Sequence, residues 1–257
     1  MISSGSSTHR LFYGPGPHHV GELRRTRSRS RGIVVVVHGG FWRPHRTLTM
    51  TAPAAVELAH RGWDTWNIEY RRMGQGSWHD TLADCAAAVD HSAVLADRYA
   101  LDSDRVFILG HSAGGQLAAW CAGRTAAADR TSQTSPTVPV SGLVTVAGVL
   151  HLAAAARAGT GDGAVEQFLG GPPEAVPEHY TAADPITRAP ISTPTRCLHS
   201  RADERVPFAF TEHYVAAATA AGDDARLLEI PGSHADVINT ESSAFEVAAA
   251  ALSELSE

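Results

Sequence analysis

A hydroxyl, an imidazole and a carboxylate held together perform acyl transfer, and this chain offers one of each just after a strand-like run. In "ILGHSAGGQ", residues 108–116, an apolar run stops at a glycine and a serine follows two residues later. "GHSAG" (110–114) fits G-x-S-x-G, with a strand expected before it and a helix after it. Side chains at Gly110 or Gly114 would collide with the neighbouring strand or helix if the turn is tight. A strained backbone at Ser112 would then lift its Oγ clear of the sheet, at the positive end of the following helix. A serine hydroxyl at neutral pH needs a base. The strand "TPTRCLHS" is followed by "RADERVP", which supplies Asp203, and "ARLLEI" by "PGSHADV", which supplies His234. His234 would take the serine proton and return it to the leaving group, while Asp203 would orient the ring and stabilise the imidazolium. Glu204 and Asp236 are the alternative carboxylates. The competing reading makes the serine turn an ordinary corner, Asp203 a helix cap and His234 a surface residue. The chain holds 14 histidines, so it is order and position, not presence, that select His234.

Acyl transfer also needs donors for the developing oxyanion. "HGGFW" (38–42) follows the strand expected near the sheet centre, and its glycines let backbone approach a substrate. The amides of Gly40 or Phe41 would join that of Ala113, with His38 bracing the loop. Phe41, Trp42 and Trp78 are candidates for an apolar acyl pocket, with His111 beside the nucleophile and "GQGSW" (74–78) at the border.

These groups meet only if strands and helices alternate. "GIVVVVHGG" (32–40) is apolar on both faces, as a buried parallel strand must be. Further strands are expected in 63–71, 104–110, 140–150, 193–200 and 225–232. Helices are expected over Ala52–His60, 81–100, Gly115–Arg124, Phe208–Ala221 and Ser242–Leu255. Leu82, Cys85, Ala86, Val89, Ala93 and Ala96 recur there at helical spacing. The pattern predicts an α/β fold of one domain over residues 1–257: a mostly parallel twisted sheet, helices on both faces, and functional loops on one edge. The Ala-, Gly- and Pro-rich stretch 151–190 breaks the rhythm and reads as a short lid-like insertion over that edge.

Composition excludes other classes. The chain has 257 residues, 44% hydrophobic and 19% charged, as soluble globular proteins do, and its formal charge of −6 disfavours a nucleic-acid footprint. "RRTRSRSR" (24–31) is the basic exception and reads as a solvated hairpin before a buried strand. Cys85, Cys121 and Cys197 are too scattered for a disulfide framework or a zinc site, and no HExxH cluster is present, so no metal or other cofactor is expected. "MISSGSSTHRLFYGPGP" holds no apolar core of signal-peptide length, and no run is long enough to span a membrane. A cytoplasmic protein is therefore expected, with a small-molecule substrate and a second copy in a homodimer as candidate partners, and neither nucleic acid nor membrane.

Taken together, "HGGFW", "GHSAGG", "RADERVP" and "GSHAD" resemble the α/β-hydrolase superfamily. The nearest likeness is to its small esterase and arylformamidase-like (kynurenine formamidase-like) branch, related to the prolyl-oligopeptidase catalytic domain. "YGPGP" (13–17), "NIEYRR" (67–72), "AGVLHL" (147–152) and "FLGGPPE...HYTAADPI" (168–186) echo that branch, so the likeness spans most of the chain. It implies a serine hydrolase cleaving a small ester or aryl amide through an acyl-enzyme. Formamidases of the branch commonly have tyrosine where this chain has Phe41, and 257 residues leave no room for an oligopeptidase propeller. An acyltransferase or cyclising thioesterase would use the same three residues. A non-catalytic ligand-binding protein on this scaffold would usually have lost the nucleophile or the base.

Overall fold

Valine and isoleucine in unbroken runs form strands buried on both faces, and β3 (Ile33–Val37) shows what that burial does. Ile33, Val35 and Val37 point into one apolar core, and Val34 and Val36 into a second on the opposite side. β5 (Val106–His111) divides likewise, with Val106 and Ile108 on the first side and Phe107 and Leu109 on the second. The period-two alternation of a strand thus supplies two helix-covered layers at once. The first core is closed by α2 (Trp78–Tyr99), α3 (Ala113–Ala122) and α7 (Phe208–Ala220). The second is closed by α1 (Ala52–His60) and α8 (Ser243–Leu255).

The computed structural model describes residues 8–124 and 138–257. Residues 1–7, part of the stretch inspected for a signal segment, lie outside the described residues. The sheet has eight strands in the order β1-β2-β4-β3-β5-β6-β7-β8. The remaining strands are β1 (Thr8–Phe12), β2 (Val20–Arg24), β4 (Asp64–Ile68), β6 (Val140–Val146), β7 (Thr195–His199) and β8 (Ala225–Glu229). From β4 to β8 neighbours run parallel; Val35, for example, stands level with Trp66 and with Ile108. The mostly parallel sheet with helices on both faces expected from the sequence is present.

Three local expectations need correction. β1 and β2 form an antiparallel hairpin, paired Thr8 to Arg24, that extends the sheet beyond the strand read first from sequence. The basic run is not a hairpin: β4 lies between β2 and β3, so 25–32 is a connection across it. Arg24 ends β2 buried and paired with Glu22 at 2.7 Å, and Arg31 lies over the Trp63 ring at 5.1 Å. α2 begins at Trp78, not 81, because Ser77 and Asp80 form a capping box there. The stretch 151–190 holds α4 (Leu152–Arg157), α5 (Thr160–Leu169) and α6 (Pro177–Ala183). α5 opens with a left-handed turn at Gly161, Asp162 and Gly163. Cys85, Cys121 and Cys197 are buried free thiols, and burial pushes the last two up to about 11 and about 12.

Candidate active site

Ser112 sits between β5 and α3 with φ 57° and ψ −122°, a conformation costly for any residue with a side chain. Its flanking glycines explain how the turn closes. A Cβ on Gly110 would fall 2.3 Å from the Gly114 carbonyl oxygen, and one on Gly114 would fall 2.2 Å from that of Val37. Neither fits. The Ser112 amide donates to Val146 O at 2.9 Å, and its carbonyl accepts from Gly115, Gln116 and Val149, so the strained residue is pinned by the end of β6, the loop after it and the first turn of α3.

The structure brings the three predicted side chains together. Ser112 Oγ lies 3.0 Å from His234 Nε2, and His234 Nδ1 lies 2.7 Å from Asp203 Oδ2. The carboxylate makes Nδ1 the donor, which leaves Nε2 as the acceptor for the serine hydroxyl. Of the two rival carboxylates, Asp236 caps the Ser233 amide at 2.6 Å, and Glu204 faces the His234 backbone amide at 3.4 Å. Neither bonds to the imidazole.

Asp203 is held by more than its partner. Its Oδ1 accepts from the amides of Arg205 and Val206 at 2.8 and 2.9 Å. Its Oδ2 also faces a second imidazole, His199 Nε2, at 3.2 Å. His199 is fully buried in β7; its Nε2 also lies 2.9 Å from the Val206 carbonyl, and its Nδ1 2.6 Å from Thr211 Oγ1. Burial by itself would raise the Asp203 carboxyl. Hydrogen bonds from His199, His234 and the Val206 amide outweigh it and hold the group well below the usual carboxylate range. Sequence reading missed His199 because "TRCLHS" looks like strand filler. The available signal was its spacing, four residues before the acid.

The loop after β3 runs past the nucleophile. A Cβ on Gly39 would come within 2.8 Å of Ser112 Cβ, so only glycine lets the two segments lie this close. Gly40, Phe41 and Trp42 follow with φ of 112°, 51° and 54°. Among the described residues the amides of Gly40, Phe41 and Ala113 donate to no protein acceptor, which leaves all three for an incoming oxygen. His38 is buried under the loop, with Nδ1 2.8 Å from Gly39 O, Nε2 2.9 Å from Glu69 and its ring stacked on Tyr70. It braces the loop.

A cavity of about 440 Å³ opens over Ser112 and His234, walled in part by Gly40, Phe41, Met50 and Ile238. His111 lines it too. Its Nε2–H donates to His234 O at 3.1 Å, and burial together with the neighbouring His234 holds its imidazole down to about 3, so it is neutral at pH 7. The two tryptophans expected here do not line this cavity. Trp42 is wholly buried, stacked on Phe168 at 4.5 Å and donating to Gln116 Oε1 at 3.1 Å. Its left-handed backbone turns the ring into the core. Trp78 is buried at the start of α2 against His79 and His179, and "GQGSW" borders a different surface hollow. Gln116, also unforeseen, ties the site together: it holds Trp42 and donates to Ala183 O at 2.9 Å. Among the described residues no cluster of three or more potential metal ligands occurs, and no helix is long and apolar enough to cross a membrane.

Comparison with known proteins bears on the fold and the family. A carbohydrate esterase from gut microbiota, solved in truncated form, superposes with a TM-score of 0.82 at 19% identity, over 99% of this chain and 98% of that one. Esterase B from Lactobacillus rhamnosis gives 0.82 at 16% identity, over 100% and 89%. In sequence, the esterase LipC of Mycobacterium tuberculosis is 28% identical over 121 residues, 46% of this chain. The matched part is 30% of LipC, so the chain spans well under half the length of that curated relative. The fold is that of the α/β-hydrolases. The family model BD-FAE matches residues 23–217, a span that includes both Ser112 and Asp203, and the chain belongs to the BD-FAE family.

Proposed function

We propose that this protein is a serine carboxylesterase acting on small esters through an acyl-enzyme. The observation that carries the reading is the continuous relay Ser112–His234–Asp203 at 3.0 and 2.7 Å, opening onto a cavity beside three unengaged amides. Ser112 Oγ attacks the ester carbonyl carbon as His234 Nε2 takes its proton. The carbonyl oxygen becomes an oxyanion, received by the amide of Ala113 with that of Gly40 or Phe41. Collapse expels the alcohol, which takes the proton from His234, and Ser112 is left acylated. Water then enters, gives a proton to His234 and repeats the sequence on the acyl carbon. Serine regains its proton and the acid departs. Asp203 remains ionised throughout, fixing the ring and stabilising its charged form.

Hydrolysis, rather than transfer to a second acceptor, is supported by the cavity mouth, where exposed His45, Arg46 and Arg205 leave water free access. The similar proteins named above are esterases, which supports an ester over an N-formyl aryl amide. The test is a panel of short-chain 4-nitrophenyl esters and N-formylkynurenine, measured with the wild type and Ser112→Ala. Ester turnover should fall by about 10⁴-fold or more in the variant. Equal rates in both proteins would remove Ser112 from the chemistry and overturn the reading.

A further inference from the structure

Three guanidinium groups stand at the mouth of the cavity, and two already have partners. Arg43 donates to Gly161 O at 2.8 Å and stands 3.9 Å from Asp162. Arg205 lies 3.5 Å from Glu204, the carboxylate that faces the His234 amide. Arg46 differs. Among the described residues its guanidinium has no hydrogen bond, ion pair or ring contact. Its stem crosses the oxyanion loop, since a Cβ on Gly40 would fall 2.4 Å from both its Cβ and its Cγ.

The charge balance at the mouth is therefore uneven. Asp162 and Glu204 are the carboxylates on its wall, and each is answered by an arginine of its own. That leaves one cation over, beside the amides of the oxyanion loop, on a chain whose formal charge is −6. A planar guanidinium with no protein partner offers two parallel N–H donors to a carboxylate. The apolar part of the wall, Phe41, Met50, Ala235 and Ile238, shares the cavity with these charged groups and suits a short hydrocarbon spacer.

We infer that the site takes esters bearing an anionic group in addition to the scissile ester, and that Arg46 is the specificity-determining residue that pairs with it. The inference rests on the serine esterase reading given above. The anion could sit on either half of the substrate, so two isosteric pairs separate the sources. For the alcohol half the pair is 4-acetoxybenzoate and 4-acetoxybenzamide; for the acyl half it is monophenyl adipate and phenyl hexanoate. The readout is the ratio of kcat/KM, anionic over neutral, in the wild type, Arg46→Gln and Arg46→Lys, at low and high salt, with the Ser112→Ala rate subtracted.

In at least one pair the wild-type ratio should favour the anion about tenfold, the scale of one charge-assisted hydrogen bond in a partly solvated cleft. It should approach one in Arg46→Gln, persist in part in Arg46→Lys, and shrink with salt. Neutral esters preferred in both pairs, or a preference untouched by Arg46→Gln, would overturn the inference and leave the esterase intact. Rates equal to those of Ser112→Ala on all four esters would instead overturn the esterase reading, and this inference with it.

Discussion

The relay and the mouth line one cavity and are built on opposite plans. In the relay each polar atom is buried and engaged: the Asp203 carboxylate alone faces two backbone amides and two imidazoles. At the mouth, Arg46 and Arg205 are exposed, and Arg46 is unpartnered among the described residues. Groups that must hold one geometry are locked by neighbours that do nothing else, whereas groups that meet a variable substrate are left to reorient. Substitutions in the relay should therefore abolish rate, and substitutions at the mouth should redistribute it.

The sharpest way to break this contrast is Asp203→Asn. It keeps the shape of the side chain but removes the charge that fixes the His234 tautomer, and turnover should drop roughly 10³- to 10⁴-fold. Glu204→Gln should cost little, and a reversal of the two results would move the acid to residue 204. Trp42→Ala tests whether the loop bearing the amides depends on its buried anchor. With the ring at 0% exposure, the substitution should cost about 3–5 kcal/mol in urea unfolding. A loss below about 1 kcal/mol would show that the loop holds itself.

Asp184 probes the interior of the insertion, where it accepts from the Ala153 amide at 3.0 Å. Burial raises its carboxyl from 3.8 to about 6 against the pull of the Ala153, Leu152 and Ile186 amides. An acid whose folded pKa lies above its unfolded value favours folding when protonated. That contribution is complete below about pH 4 and is lost as pH rises through about 6. The stability of the wild type minus that of Asp184→Asn should thus fall by about 3 kcal/mol across this window. A flat or rising difference would contradict it. A more modest loss than that of Asp203→Asn is expected of His199→Gln, a positioning change one group removed from the reaction. It should lower kcat about tenfold with KM little altered, and raise the pH at which the acid limb of kcat/KM appears. An unaltered pH profile would reduce His199 to packing.

How far the sequence reveals this design depends on what each residue's neighbours demand. Ser112, Asp203 and His234 were legible because each follows an apolar strand, and a parallel sheet delivers all such loops to one edge. Gly110 and Gly114 were legible because their smallness has a steric cause. β1 and β2 were not: "THRLF" and "VGELR" are five residues each and mix charge with apolar positions, as edge and antiparallel strands do. Trp42 was misplaced because residue type tells nothing of direction, and a left-handed φ of 54° turned its ring away from the cavity. His199 and Gln116 were invisible for a related reason: buried polar side chains reveal themselves only through partners that are distant in the chain.

The side-by-side pairing of β3 and β5 has a consequence for how the protein tolerates change. The loop carrying Gly40 and the turn carrying Ser112 spring from adjacent strands whose ends stand level, Val37 opposite Gly110, so their separation is gauged by the strand spacing of about 4.8 Å rather than by loop design. Asp203 and His234 arise after β7 and β8, two and three strands further out, and their loops must arch back by a fixed reach. Extra residues grafted into an exposed turn on the far rim, such as 102–104, would leave these spans unaltered. That rim is where a reporter or a second module can be spliced in with the chemistry preserved.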